Sequence, residues 1–151
     1  MKTKIEGNYT FHLPIQDVYN AFQNKELIRA ALPGRVHFDM PSPDQYKLAL
    51  QLDIPKVGGL YEGLMNITNT KAPSYYELTA NGKGPGRNLG ANGRIELSQI
   101  DANKTELHYV CKTDAFDSYN RFVRMAAAPV AKRLVTQGMW YLERTIKEQK
   151  N

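Results

Sequence analysis

The chain has 151 residues, of which 42% are hydrophobic and 23% charged, a balance typical of one globular domain with a substantial core. No stretch approaches the roughly 20 apolar residues of a membrane span, and the N-terminus contains no apolar signal core. We therefore expect a single cytoplasmic domain over residues 1–151.

The net charge of +5 is unevenly distributed. Residues 1–120 hold 13 Lys/Arg and 13 Asp/Glu, whereas residues 121–151 hold seven Lys/Arg against two Glu. The whole excess thus falls on the C-terminal segment. A basic face of this kind is either simply solvated or able to meet anionic lipid, nucleic acid or an acidic protein.

The N-terminal third predicts one strand followed by two short helices. Residues 4–12 alternate apolar and polar side chains, as a strand does. Pro14 suits the first turn of a helix, and Asn24 can cap a second helix over residues 25–32. Pro33-Gly34 ends that helix.

Six more strands are predicted, joined by short turns, and they indicate an antiparallel meander. Their bounds are 36–40, 45–54, 60–71, 74–84, 92–100 and 105–113. One face of the sheet is too apolar to meet water and needs a cover. Strong curvature requires bulges or glycines within the strands, and the sequence offers Gly63, Gly82, Gly84, Gly90 and Gly93.

The cover is a long helix predicted over residues 117–148, either continuous or in two pieces joined near Pro129. Its apolar stripe is Val130, Leu134, Gly138, Tyr141, Leu142 and Thr145. Its other side carries Lys132, Thr136, Met139, Trp140, Glu143 and Lys147. The predicted fold class is α+β, a curved seven-stranded antiparallel sheet wrapped around a long C-terminal helix.

No catalytic or metal-binding pattern stands out. The three histidines are scattered, without HExxH or CxxC spacing. Cys111 is the sole cysteine and is predicted to be a small buried apolar residue. The Gly-rich segment 82–90 runs from strand to strand, so it lacks the helix N-terminus that a phosphate cradle needs. We predict no catalytic residue, no metal and no cofactor.

Several motifs together resemble the CoxG family, named for the G subunit of carbon monoxide dehydrogenase, within the helix-grip (START-like, SRPBCC) superfamily. They are IEGNYTFHLPIQDVYNAF (5–22), ELIRAALPG (26–34), YEG (61–63), GKGPG (82–86) with GRIEL (93–97), and PVAKRLVTQ (129–137). The resemblance implies a non-enzymatic protein that binds an apolar molecule between sheet and helix. It further implies a link to a molybdenum hydroxylase and its quinone acceptor at the inner face of the membrane.

A cavity of this kind needs apolar walls with a few hydroxyls. The predicted ligand-binding residues are Leu32, Leu50, Tyr61, Met65, Tyr76, Ile95, Tyr109, Phe122, Ala126, Val130 and Leu134. The alternative is that the same residues form a solid core. A predicted membrane or partner surface consists of Lys132, Met139, Trp140 and Lys147, since Trp with lysines is typical of an interfacial helix.

Two other functions stay open. A cyclase or dehydratase on the same fold would need an acid or base inside the cavity, and a register slip by one would turn His108 or Glu62 inward. A ligand-free interaction module would use the basic helix as its surface. Nucleic-acid binding is disfavoured, because the basic residues are not interleaved with aromatics.

Overall fold

The computed structural model describes residues 3–31, 35–52, 58–115, 117 and 120–150. Its strands are β1 (Thr3–Phe11), β2 (Arg35–Ser42), β3 (Gln45–Leu52), β4 (Gly59–Lys71), β5 (Tyr75–Gly84), β6 (Arg87–Asp101) and β7 (Lys104–Thr113). Its helices are α1 (Ile15–Ala21), α2 (Lys25–Ala31) and α3 (Arg121–Lys150). The predicted order of strand, two helices, six strands and helix is confirmed.

All seven strands form one antiparallel sheet in the order β1-β7-β6-β5-β4-β3-β2. The last six strands are the predicted meander, and β1 returns to pair with β7. β6 begins five residues earlier than predicted, because the Gly-rich segment continues the ladder to the pair Gly84↔Arg87. The intervening turn uses Gly86, whose φ of 75° is a conformation that favours glycine.

Glycine allows neighbouring backbones in the curved sheet to come close. A Cβ added at Gly82 would overlap the Glu62 carbonyl oxygen of β4. One added at Gly93 would lie 2.7 Å from the Val110 carbonyl oxygen of β7. Any larger residue at Gly82 or Gly93 would push the neighbouring strands apart. Both positions were among the mid-strand glycines expected from the sequence.

Side-chain caps set the starts of two helices. The Asn24 carboxamide oxygen accepts from the backbone N–H groups of Glu26 and Leu27, which confirms the predicted cap of α2. The Asn120 side chain accepts from the Val123 N–H at 3.0 Å, so α3 begins at Arg121 rather than at 117. From there α3 runs unbroken through Pro129 for 30 residues, about 45 Å.

The buried face of α3 is rotated from the predicted stripe. Ala127, Leu142, Glu143 and Ile146 are buried, whereas Tyr141 is 43% exposed. Placing Tyr141 on the apolar stripe and Glu143 on the solvent side was therefore wrong. The reason is that the helix packs against β1, α1 and α2, and β1 supplies polar partners for Glu143.

The main core lies where α1 and the C-terminal half of α3 cover β1, β6 and β7. Phe11, Val18 and Leu107 are fully buried there. Thr105 is buried among them and donates its hydroxyl to the Leu13 carbonyl oxygen at 2.8 Å. This solid core holds the C-terminal half of α3 on the sheet. A cavity lies beside it, under the middle of α3.

Candidate functional site

A cavity of about 290 Å³ lies between the middle of α3, the two short helices and the concave face of the sheet. Its walls are almost entirely carbon and methionine sulfur. They consist of Phe22, Ile28, Ala31, Phe38, Tyr46, Leu48, Met65, Tyr76, Leu78, Ile95, Leu134, Val135, Gly138, Met139 and Leu142.

Simple periodicities bring these residues together. Tyr46 and Leu48 alternate along β3, as Tyr76 and Leu78 do along β5, so each pair points to one face of the sheet. The α3 residues recur over two turns of one helix face. Gly138 lets α3 come close to α2, because a Cβ there would already lie 3.2 Å from the Ala31 carbonyl oxygen.

Tyrosine hydroxyls are the polar groups of this wall. Tyr46 donates its hydroxyl to the Phe22 carbonyl oxygen at 2.8 Å, and burial, followed by the nearby Tyr19, raises the pKa of Tyr46 to about 12. Tyr76 is 3% exposed and its ring meets Phe22 edge to face, 6.3 Å between centroids. Burial raises the pKa of Tyr76 well above its usual range, so both phenols stay neutral and keep their protons.

Four of the eleven predicted ligand-binding residues line the cavity: Met65, Tyr76, Ile95 and Leu134. Tyr109 belongs to the neighbouring core, where its ring covers Gly7 of β1. Leu50, Tyr61 and Val130 are half-buried outside the cavity wall. Leu32 lies outside the described residues.

Two of the predicted lining residues are on the surface. Phe122 is 83% exposed and Ala126 is also exposed, so their assignment to the cavity was wrong. They lie in the first two turns of α3, whereas the helix contributes to the core cluster and the cavity from Ala128 onward.

The predicted membrane or partner surface is divided by the structure. Met139 lines the cavity, so its assignment to that surface was wrong; its thioether packs towards the core. Trp140 is 52% exposed and lies under the Arg144 guanidinium, 5.3 Å from the ring centroid. Lys132 and Lys147 are exposed, and the Lys147 Nζ lies 3.3 Å from a Glu143 carboxylate oxygen.

Sequence analysis missed most of the wall. Leu48 and Leu78 carried a usable signal, because they alternate in phase with residues already assigned to the inner face. No such signal marked the lining residues Phe22, Ile28 and Ala31, because the hydrophobic pattern of the sequence does not show that the short helices close one side of the cavity. Gly138 lay on the predicted apolar stripe, whereas Val135 and Met139 required the true rotation of α3.

Glu143 fixes that rotation. Its carboxylate accepts from the Tyr9 hydroxyl and the His12 backbone N–H, both at 2.8 Å. Burial alone would raise the pKa of Glu143, but the hydrogen bonds from His12, Tyr9 and Lys147, together with the Lys147 charge, lower it. The carboxylate is therefore ionised at neutral pH and ties α3 to β1, outside the cavity wall.

The two groups that a register slip would have turned inward stay outside. The His108 ring lies 2.9 Å from a Glu6 carboxylate oxygen on the far face of the sheet, and Glu62 is exposed. Among the described lining residues, Tyr46 and Tyr76 alone carry an ionisable side chain. Within the described part of the chain, no three His, Cys, Asp or Glu side chains cluster as metal ligands would.

The described helices include none that is long and apolar enough to cross a membrane.

Solved structures share this architecture. A conserved protein from Geobacillus kaustophilus superposes with a TM-score of 0.83 at 24% identity, over 96% of this chain and 95% of that one. The Zhui aromatase/cyclase from Streptomyces sp. R1128 superposes with a TM-score of 0.72 at 13% identity, over 100% of this chain and 97% of that one. A START superfamily protein from Mycobacterium smegmatis superposes with a TM-score of 0.70 at 8% identity, over 97% of this chain and 98% of that one. At these identities the likeness shows the fold alone, and it confirms the predicted helix-grip class.

Sequence comparison places the chain more narrowly. No curated protein sequence matches it significantly. The family profile for the G subunit of carbon monoxide dehydrogenase (CoxG), however, matches residues 7–139, a range that spans nearly all of the motifs that carried the resemblance. The chain therefore belongs to the CoxG family.

Proposed function

We propose that this protein binds a small hydrophobic molecule, lipid-like or quinone-like, in the cavity between the sheet and α3, and that it does so without chemistry. The observation that carries the proposal is the cavity itself: about 290 Å³ with walls almost free of polar atoms. Such walls favour an apolar guest, because its transfer out of water is favourable while few polar groups lose hydration.

A binding role is supported over a catalytic one by the chemistry of the wall. General acid–base catalysis needs a group that gives or takes a proton near neutral pH. The two tyrosines of the described wall have raised pKa values and remain protonated, and Glu143 faces β1 instead. The alternative, a cyclase or dehydratase, is suggested by the aromatase/cyclase with this fold and would require turnover that depends on one of these tyrosines.

Uptake of a fluorescent apolar dye tests the cavity. Leu134→Trp places a larger ring in the wall and is expected to reduce dye affinity at least about tenfold, because guest and ring compete for one space. Gln137→Trp is the matched control, since it adds the same ring at an exposed position of the same helix that is not part of the cavity wall. Equal dye binding by the two folded variants would contradict the proposal.

We extend the proposal to contact with an anionic membrane surface, from which such a molecule would be taken. Phe122, Met125, Ala126 and Pro129 form one exposed face of α3, here called the Phe122 ridge; Phe122 is 83% and Met125 66% exposed. The flanking segment 118–142 carries Arg121, Arg124, Lys132 and Arg133 and no acidic residue. Apolar side chains beside unbalanced positive charge suit the boundary of an anionic bilayer.

Vesicle co-sedimentation tests the ridge. The double variant Phe122→Ser/Met125→Ser is expected to bind vesicles of phosphatidylcholine with phosphatidylglycerol at least about tenfold more weakly than the wild type, because two apolar anchors are lost. Ile100→Ser is the control, since Ile100 is 52% exposed on β6, away from the basic segment. Unchanged binding by the double variant would remove the ridge from the proposal.

The family name suggests a partner. The matching family is named for a component of carbon monoxide dehydrogenase, and we propose a molybdenum hydroxylase of that type as the protein this carrier accompanies. Co-purification of such an enzyme with the tagged chain from its native cell would support the partnership. Recovery of the enzyme at the level of an untagged control would argue against it.

A further inference from the structure

The Tyr76 hydroxyl stands out in the cavity wall. The residue is 3% exposed and lines the cavity, yet its hydroxyl has no hydrogen-bond partner among the residues that the structure describes. The hydroxyl is not among the fully enclosed atoms that lack a partner in the described part of the chain, so its oxygen is reachable from the cavity. A guest that displaces water from it must offer an acceptor or leave the donor unmatched, which is costly. A partner from outside the chain would explain the arrangement.

Its neighbour Tyr46 shows the contrast. Tyr46 and Tyr76 line the same cavity. The Tyr46 donor is already used by the Phe22 carbonyl oxygen, at 2.8 Å. Tyr76 is thus the lining residue with a donor to spare, and its ring is held in place by the edge-to-face contact with Phe22.

We infer that the molecule bound in this cavity carries a neutral hydrogen-bond acceptor, a carbonyl oxygen, which accepts the Tyr76 hydroxyl proton. The inference rests on the proposed binding function and names the chemical class of its ligand. A carboxylate ligand is excluded by the same wall, since no Lys, Arg or His is among its described lining residues. A charge buried there would lack a counter-ion, which is costly.

A pair of isosteric probes isolates the carbonyl. 2-Acetylnaphthalene and 2-isopropenylnaphthalene differ in one position, where an oxygen replaces a methylene group, and calorimetric titration measures both. The wild type is expected to bind the ketone about five- to tenfold more tightly than the alkene, because one hydrogen bond in a site without water contributes about that much to the affinity. Tyr76→Phe is expected to bind both probes equally, because it keeps the ring and removes the donor.

Two further measurements separate the hydroxyl from general packing effects. Tyr75→Phe is the matched control; this tyrosine lies on the same strand but outside the cavity wall, and its hydroxyl donates to Glu77, so the preference for the ketone should persist. The infrared carbonyl stretch of the bound ketone should move to lower frequency in the wild type and not in Tyr76→Phe. Thermal unfolding followed by circular dichroism checks that each variant is folded.

The outcomes distinguish this inference from the function on which it rests. Equal binding of both probes by the wild type, or a ketone preference that survives in Tyr76→Phe, would overturn the inference and leave the cavity as a binding site. Tighter binding of 2-naphthoate than of the ketone at neutral pH would also overturn it. If neither neutral probe binds the wild type, the binding function fails and the inference fails with it.

Discussion

Replacing Glu143 with Gln tests how α3 is held over the cavity. Glu143 is 8% exposed, and its carboxylate accepts hydrogen bonds from Tyr9 and His12 while facing Lys147. A hydrogen bond to a charged group contributes about 1.5–3 kcal/mol and a neutral one about 0.5–1.5 kcal/mol. Glutamine keeps a neutral bond from the His12 N–H at its one oxygen, its NH2 group can only donate to the Tyr9 hydroxyl, and the ion pair is lost, so the loss is about 2 kcal/mol.

For a chain of this length, 2 kcal/mol lowers the melting temperature by about 4–8 °C. Scanning calorimetry at pH 7 measures the shift directly. Glu148→Gln is the matched control, because that carboxylate lies on the same helix, is exposed, and meets only Arg144 at 3.3 Å among the residues the structure describes; its effect should be small. A Glu143→Gln protein melting within about 1 °C of the wild type would refute the anchoring role.

The same variant has a pH signature. Because the pKa of folded Glu143 lies below the ordinary value of 4.5, its stabilisation is complete above that value. It is lost as the pH falls through the lowered pKa. The difference in melting temperature between wild type and Glu143→Gln should therefore be constant near neutrality and shrink below pH 4.5. A gap that stays constant into strong acid would contradict the assignment.

Two further outcomes follow from the packing. Gly82→Ala should destabilise the protein by about 1–3 kcal/mol, because the new Cβ would meet the Glu62 carbonyl oxygen. Gly90→Ala should cost much less, since its nearest neighbour atom would be 3.6 Å away; equal losses in urea unfolding would contradict this reasoning. Cys111 should react more slowly with a thiol reagent at neutral pH than glutathione does, because burial raises its pKa. Reaction of the native protein as fast as that of the urea-unfolded chain would show the thiol to be accessible.

The sequence predicted the sheet well, for a physical reason. Alternation has a period of two, so a run such as Tyr46, Leu48 and Leu50 fixes both the strand and its inward face, and short turns fix the order of neighbours. Glycines within strands marked the close approaches now seen at Gly82 and Gly93. The family motifs covered almost the same residues and led to the same fold.

The site was harder to predict, because it depends on the rotation of one helix. Apolar side chains occur nearly all round α3, so its stripe is weakly defined by the sequence. The residue that sets the rotation, Glu143, is charged and looked solvent-exposed until its partners Tyr9 and His12, more than 130 positions away, were brought beside it. That rotation placed Met139 in the cavity and Phe122 on the surface.

The binding function is tested most directly by native mass spectrometry of the purified protein, followed by organic extraction and identification of what is released. The cavity and the free Tyr76 donor predict a co-purified neutral molecule with an apolar body and a carbonyl group, absent from Leu134→Trp and present in Gln137→Trp. A wild-type protein that is recovered empty and also takes up no apolar dye would contradict ligand binding. The exposed Phe122 ridge and the basic residues of α3 would then be the surface to study, as those of an interaction module.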